Sequence, residues 1–117
     1  EEFLNDLGFG HEYLSLNLSV RLVGDLDGAV RHILAYGSKH SEAIVTQNYA
    51  LAQQFIDALD SAAVFVNCST RFHDGGEFGL GAEVGIATGK LHVRGPMGLR
   101  DLTTTRYIGR GAGEIRK

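Results

Sequence analysis

The chain of 117 residues has one cysteine, one proline and no tryptophan, and no apolar run approaches the length of a membrane span. A single cysteine, Cys68, excludes an internal disulfide and a cysteine-rich metal cluster, and it agrees with a reducing compartment. The first residues lack the basic start and the apolar core of a signal peptide. We therefore expect a cytoplasmic protein that neither spans nor anchors to a membrane.

Clustered positive charge is missing as well. The 11 Lys and Arg residues are scattered, and the formal net charge is −3, which argues against nucleic acid as a partner. The only methionine is Met97, so the chain does not begin at an initiator methionine. We expect either a processed product or a piece of a longer protein.

Two patterns in the first third of the chain predict a strand followed by a helix. Residues 16–23 alternate apolar and polar side chains, which is typical of a half-buried strand. Asp25 then follows as a candidate N-cap, and Gly37 as a C′ glycine that ends the helix. The apolar face between them has helical spacing and consists of Leu26, Ala29, Val30, Ile33 and Leu34.

The pattern repeats further along. Residues 43–45 form a short apolar run, Thr46 is a candidate helix cap, and helical spacing recurs at Ala52, Phe55, Ile56 and Leu59. Residues 62–66 are continuously apolar, as in a strand covered on both faces, and the threonine-rich residues 102–108 favour a final strand. The order β-α-β-α-β predicts an α/β fold with a parallel sheet and helices packed against it.

Residues 77–98 are unusually rich in glycine. Gly79, Gly81 and Gly85 are spaced one residue too far for a dinucleotide fingerprint, so nucleotide binding by this loop is weakly supported. The glycines either let backbone N–H groups cradle an anion or only allow the chain to bend.

Polar side chains crowd the end of the apolar run 62–66. Asn67, Ser69, Thr70 and Arg71 together offer an amide, two hydroxyls and a guanidinium, a set that can bind a carboxylate or a phosphate. The alternative is that they shape a turn while Arg71 pairs with an acidic neighbour, Asp74 or Glu77. Both interpretations stay open on the pattern alone.

Cys68 stands in the same segment. Arg71 and His73 are near enough in sequence to activate its thiol, but a free cysteine is more often a buried, inert side chain, which is the interpretation we favour. The five histidines show no metal-ligand spacing, so we expect no metal site. By pattern alone, Glu12 is an ordinary exposed carboxylate.

Four stretches resemble one family, the gamma-glutamyl phosphate reductases of the aldehyde dehydrogenase superfamily, which are NADPH-dependent enzymes of proline biosynthesis. In chain order they are "VGDLDGAVRHILAYGSKHSEAIVT", "DSAAVFVNCSTRF", "EFGLGAEVGIATGKLHVRGPMGL" and "LTTTRYIGRG". The resemblance covers essentially the whole chain but only the last quarter to third of the family. It implies that the catalytic cysteine and the dinucleotide-binding domain precede Glu1.

The resemblance also implies roles for individual residues. In "FGLGAEVG" the backbone of Gly81, Ala82 and Glu83 would receive the α-carboxylate of glutamyl phosphate. Glu12, which opens "EYLSLNLSV", would contact the ribose beside the nicotinamide.

The "VN-x-STRF" motif of the family matches three further residues, and it implies that Asn67, Ser69 and Arg71 line the substrate pocket. Cys68 falls on the variable place of that motif, which supports an inert thiol.

For the complete protein, the resemblance implies reduction of L-glutamyl 5-phosphate to L-glutamate 5-semialdehyde with NADPH. An upstream thiolate would displace phosphate, and the resulting thioester would accept a hydride. Residues 1–101 would form the C-terminal part of the aldehyde dehydrogenase-like fold, with a substrate-anchor loop at 77–89. Residues 102–117 would hold a strand that builds a homodimer or a higher homo-oligomer.

Three hypotheses for the chain follow, in decreasing order of support. The first is a catalytically silent portion of such a reductase. The second is a free-standing module that binds glutamate or another anion without chemistry. The third is a small thiol enzyme that uses Cys68.

Overall fold

The computed structural model describes residues 6–116. The expectation that there is no signal peptide was based partly on residues 1–5, which lie outside the described range. Two α-helices and four strands follow in chain order: α1 Leu26–Tyr36, β1 Ser41–Ile44, α2 Tyr49–Ala58, β2 Ala63–Val66, β3 Gly85–Ala87 and β4 Gly95–Met97. Short 3₁₀ turns occur at Asp6–Gly10, Thr70–Phe72 and Leu99–Leu102.

Helix α1 begins as predicted. The Asp25 carboxylate accepts a hydrogen bond from the backbone N–H of Gly28 at 2.8 Å. Gly37 does end the helix, but its φ of −74° is not left-handed, so the predicted C′ role is wrong. Glycine is needed there for another reason, because a Cβ would lie 2.6 Å from the carbonyl oxygen of Ile33.

Helix α2 begins later than its predicted cap. Its N-cap is Asn48, whose side chain accepts from the backbone N–H of Leu51 at 3.1 Å. Thr46 lies two residues further back, where its hydroxyl cannot serve the first turn and instead accepts from the N–H of Asn48. The predicted cap was therefore wrong by two residues.

The two helices and the first sheet share a small core. The buried side chains at its centre are Val30, Phe55 and Leu59. Partly buried side chains from α1 and from both strands of the sheet pack around them: Leu26, Ile33, Ile44 and Val64. The predicted helical spacing thus identified most of the buried faces, but it was wrong for Leu34 and Ile56, which are 54% and 38% exposed.

Strands β1 and β2 pair in parallel, from Ser41 opposite Ala63 to Ile44 opposite Val66, and α2 forms the crossover between them. This confirms the predicted parallel pairing. Strands β3 and β4 form an antiparallel pair that the sequence pattern missed. Each has three residues, and glycine and Pro96 leave them no alternation to detect.

Two predicted strands are absent. Residues 16–23 form no ladder, and Leu16 and Leu22 are 107% and 94% exposed. Residues 103–108 likewise lack a partner strand, and Tyr107 is 95% exposed. Both predictions fail for one reason: a strand is stabilised by its neighbour, and residues 6–116 provide none beside either segment.

These segments make the molecule elongated. The radius of gyration is 20.9 Å, whereas a compact chain of this length would have about 13 Å. None of the described helices is both long and apolar enough to cross a bilayer.

An ionic contact joins the second strand pair to the first unit. The Arg94 guanidinium donates to the carboxylate and to the carbonyl oxygen of Asp60, both at 2.7 Å, and Lys90 also pairs with Asp60. Hydrogen bonds from Lys90 and Arg94 lower the pKa of Asp60 to about 2. The Asp60 carboxylate therefore keeps its charge as the pH falls towards that value.

The small core predicts a sharp contrast between two aromatic residues of α2. Phe55 is 3% exposed and Tyr49 is 83% exposed. Phe55→Ala should lower the free energy of unfolding by about 3–5 kcal/mol, or abolish a cooperative transition, because it empties the core. Tyr49→Ala should change it by less than about 0.5 kcal/mol. Urea unfolding followed by far-UV circular dichroism measures both, and equal losses would contradict this account of the core.

Candidate functional site

The predicted polar cluster lies where the first sheet ends. Asn67 follows β2 with φ of +56°, a conformation that asparagine tolerates better than most residues. Its amide makes two hydrogen bonds to Thr46, which follows β1: the Thr46 N–H donates to Oδ1 and Nδ2 donates to the Thr46 carbonyl, each at 2.8 Å. The Asn67 N–H also donates to the carbonyl of Ile44 at 2.8 Å. The Asn67 side chain is therefore occupied within the protein.

Ser69 and Arg71 lie on the next turn. The Ser69 hydroxyl accepts from the N–H of Arg71 at 3.2 Å and so caps the 3₁₀ turn Thr70–Phe72. Both residues line an open cavity of about 380 Å³ together with Phe72, Asp74 and Glu77. The turn thus places a hydroxyl and a guanidinium on the same concave surface.

The Arg71 guanidinium has no hydrogen bond or ion pair with any residue in the described range 6–116. The alternative pairing with its acidic neighbours is therefore not found. Asp74 instead accepts from the N–H groups of Gly76 and Glu77, at 2.7 and 3.3 Å. With one guanidinium and two carboxylates in its lining, the cavity alone is a weak anion site, so further donors are required.

The glycine loop supplies such donors. Gly79 and Gly81 have φ of +76° and +77°, which turn the chain sharply. The N–H groups of Leu80 and Val84 donate to the carbonyls of Gly75 and Met97. Within the described part of the chain, no hydrogen bond uses the N–H groups between them, which belong to Gly81, Ala82 and Glu83. Three consecutive backbone donors are available to a ligand.

The Glu83 side chain stabilises this loop. Its carboxylate accepts from the N–H of Gly75 at 3.1 Å, and a Cβ on Gly75 would lie 2.5 Å from the carbonyl oxygen of Ala82. The two halves of the loop therefore touch at Gly75, where only glycine fits. Because the carboxylate is engaged there, Glu83 offers a ligand its backbone and not its charge.

The structure does not bring the remaining predicted residue to this place. Glu12 is exposed on the extended segment before α1 and lines neither of the two described cavities. The second of them, of about 530 Å³, lies against α1 and is lined by Arg21, Arg31 and His32 among others. Glu12 has no hydrogen bond or ion pair with residues 6–116, so its carboxylate is available.

Cys68 is exposed, which differs from the buried position on which its inert interpretation was based. The activating contact is missing as well. His73 is directed to Ser41, and the hydrogen bonds of the described residues include none between His73 and Cys68. No described group of three or more His, Cys, Asp or Glu side chains could hold a metal ion.

Sequence reasoning missed the most buried polar group of the region. His73 is 5% exposed, its Nδ1 lies 2.6 Å from the Ser41 hydroxyl, and its Nε2 has no hydrogen-bond partner among residues 6–116. Burial is the main cause that lowers its pKa, and the nearby His40 adds to the effect. A single histidine in a loop has no periodicity, so no sequence signal would have revealed its burial.

Comparisons with known proteins agree with one another. The chain is 58% identical over 112 residues to a gamma-glutamyl phosphate reductase of Halothermothrix orenii, covering 96% of the chain and 27% of that protein. It is 63% identical over 105 residues to a Thermobifida fusca protein of the same name, covering 90% of the chain and 25% of that protein. No protein-family model matches.

A solved structure matches as well. The crystal structure of gamma-glutamyl phosphate reductase from Thermotoga maritima superposes with a TM-score of 0.83 at 46% identity, covering 97% of this chain and 28% of that one. These findings confirm the sequence resemblance and the α/β fold class. The chain spans about a quarter of the length of the curated relatives that it matches.

The clamp between Asn67 and Thr46 leads to a prediction about its two components, the amide and the left-handed backbone. Asn67→Gly removes the two side-chain hydrogen bonds together with the Cβ and should cost about 1–2 kcal/mol of unfolding free energy. Asn67→Ala loses the same hydrogen bonds but keeps a Cβ at positive φ, so it should be less stable than the glycine variant by about 1–2 kcal/mol. Urea unfolding measures the difference, and a glycine variant less stable than the alanine variant would refute the backbone argument.

Proposed function

We propose that this chain, which belongs to the gamma-glutamyl phosphate reductase family along the segment it spans, is the substrate-anchoring C-terminal part of an NADPH-dependent enzyme. The complete enzyme reduces L-glutamyl 5-phosphate to L-glutamate 5-semialdehyde, a step of proline biosynthesis, in the cytoplasm. The observation that carries the proposal is the identity of 58% over 96% of the chain to a protein of that name.

The reaction converts glutamyl phosphate, NADPH and a proton into the semialdehyde, NADP⁺ and inorganic phosphate. The cofactor supplies the hydride, while the nucleophilic cysteine and the dinucleotide-binding domain belong to the rest of the enzyme. In this chain, the available carboxylate of Glu12 is suited to accept the two ribose hydroxyls. Alone, the chain has no reductase activity.

The glycine loop is the anchor in this proposal. Glutamyl phosphate has an α-carboxylate at the end away from its reacting carbonyl. The three N–H groups of Gly81, Ala82 and Glu83, which no described residue occupies, would receive that carboxylate. Their rigid positions, set by the contacts at Gly75, favour binding because little order is lost.

The turn after β2 is the second contact. The unpaired guanidinium of Arg71 would bind an anionic group of the substrate, and the Ser69 hydroxyl borders the same cavity. The resemblance implies that Asn67 lines the pocket. In this proposal its amide acts indirectly, because it holds the turn against Thr46. It is a positioning residue in this proposal.

The C-terminal segment, residues 102–117, is suited to oligomerisation. Residues 103–116 are exposed, and none of them pairs with a described strand. Unpaired backbone and a threonine-rich sequence suit pairing with the sheet of a second copy, so residues 102–117 form the oligomerisation segment of a homodimer or a higher homo-oligomer. Residues 1–101, with the anchor loop at 77–89, form the rest of this portion of the fold.

The anchor is tested by two matched glycine substitutions in a complete enzyme, in which residues 1–117 replace the matching segment of the Halothermothrix orenii protein. A Cβ would meet nothing within 4 Å at Gly81 or at Gly89, but only Gly81 has positive φ. Gly81→Ala costs about 1–2 kcal/mol of backbone strain, so the KM for the semialdehyde in the reverse reaction should rise about 5- to 30-fold. Gly89→Ala should change that KM by less than about twofold.

The KM for the dinucleotide is the control, because the loop does not contact it in this proposal. Arg71→Ala should raise the KM for the semialdehyde or phosphate by about 10- to 100-fold, since a charge-assisted hydrogen bond is worth about 1.5–3 kcal/mol. An inactive hybrid, combined with tight calorimetric binding of glutamate to the isolated chain, would overturn the proposal and favour a free-standing anion-binding module.

A further inference from the structure

His73 lies where four parts of the structure meet. Its Nδ1 is 2.6 Å from the Ser41 hydroxyl at the start of β1. Its ring centroid is 6.4 Å from that of Phe65 in β2 and 6.1 Å from that of Phe78 in the glycine loop. On the side of β4, a Cβ at Gly95 would lie 3.6 Å from Nε2. The ring therefore packs between the two strand pairs.

The Ser41 hydroxyl limits protonation of the two histidine rings that it contacts, His40 and His73. It lies between two ring nitrogens, the Nδ1 of His40 at 2.7 Å and the Nδ1 of His73 at 2.6 Å. With one O–H, Ser41 donates to one ring and accepts from the other, which satisfies both contacts when both rings are neutral. If both rings carried an added proton, the hydroxyl would face two N–H donors and could donate to neither ring, so these contacts disfavour a doubly protonated pair.

The other nitrogen of His73 has no group to stabilise an added proton. Nε2 is buried and unpartnered, and Phe65 and Gly95 face the ring without charge. The charged or titratable neighbours are His40 on the side of β1 and Glu83 in the loop. Arg94, beside Gly95, is directed to Asp60. Burial and His40 oppose protonation, and only Glu83 favours it.

Glu83 connects His73 to the anchor loop. Its carboxylate holds the N–H of Gly75, and the carbonyl of Gly75 accepts from the N–H of Leu80 at 2.8 Å. Gly75 is two residues from His73. A positive charge on His73 would draw the Glu83 carboxylate away from Gly75 and so remove a contact that fixes Gly81, Ala82 and Glu83.

We propose that His73 is a positioning residue of the anchor loop: its neutral ring, held by Ser41, keeps the loop in the form that binds the substrate carboxylate, and its protonation releases the loop. The inference rests on the anchoring role proposed above. It extends that role, because loop position then depends on pH.

The sign of this dependence follows from the direction of the shift. Because burial lowers the pKa of His73 in the folded chain, the folded state binds fewer protons than the unfolded state below the ordinary value of about 6.5. The contribution of the neutral His73 ring to the stability of the folded chain is therefore complete above pH 6.5. It is lost as the pH falls through the lower pKa of the folded state.

Nuclear magnetic resonance of the ¹⁵N-labelled chain between pH 8 and pH 5 tests the proposal without any ligand. The ring nitrogens of His73 should report one tautomer and a midpoint below 6.5. The amide resonances of Gly81, Ala82 and Glu83 should shift with that same midpoint. In His73→Phe, which keeps an aromatic ring, these amide shifts should be lost. They should persist in His92→Asn, which removes an exposed histidine.

Amide shifts that are unaltered in His73→Phe, or that are absent while His73 titrates in the unmodified chain, would overturn the proposal. So would a midpoint at or above 6.5. The unmodified chain alone decides two of these outcomes, so the test does not depend on folding of the variant. Failure of the anchor itself would be seen separately, as a KM for the semialdehyde that Gly81→Ala does not change.

Discussion

The parallel pairing of β1 and β2 is the interaction on which the rest of the site depends. Four residue pairs form the ladder, and the amide of Asn67 adds two hydrogen bonds to Thr46 just beyond it. These two side-chain hydrogen bonds extend the ladder by one pair. The positive φ of Asn67 then directs the chain out of the sheet. The turn that carries Ser69 and Arg71 begins at this fixed point, so the place of both residues at the end of the sheet is set by backbone geometry.

The parts of the fold that sequence could predict are those whose stability is encoded locally. Helical spacing found α1 and α2, because an amphipathic helix makes its own hydrogen bonds and requires only one apolar surface. The run 62–66 found β2, because continuous apolar residues are rarely compatible with anything but burial. The strand predictions for residues 16–23 and 102–108 were wrong for the same reason. A strand forms its backbone hydrogen bonds only with a neighbouring strand, and no pattern within the segment indicates whether that neighbour is present.

Some features of the candidate site could likewise be predicted from sequence, whereas others depend on contacts between distant residues. The motif around Asn67, Ser69 and Arg71 pointed to an anion, but spacing could not tell that the Asn67 amide is used internally, because this depends on where Thr46 ends the other strand. The glycines indicated a close approach, whereas the free N–H groups at 81–83 follow from the hydrogen bonds on either side of them. His73 was not recognised at all, because its burial arises from contacts with residues 32 positions earlier and 22 positions later.

Positive φ at Gly79 and Gly81, the bare contact at Gly75 and the engaged carboxylate of Glu83 have a common consequence. The glycines set the course of the chain around the three N–H donors, and the Glu83 carboxylate is held at the N–H of Gly75 instead of competing for them. An anion that binds there meets backbone dipoles already oriented, so it replaces water without ordering the loop. In the proposed site, selectivity for a carboxylate would thus come mainly from fixed backbone, and the guanidinium of Arg71 would supply the charge that backbone dipoles cannot.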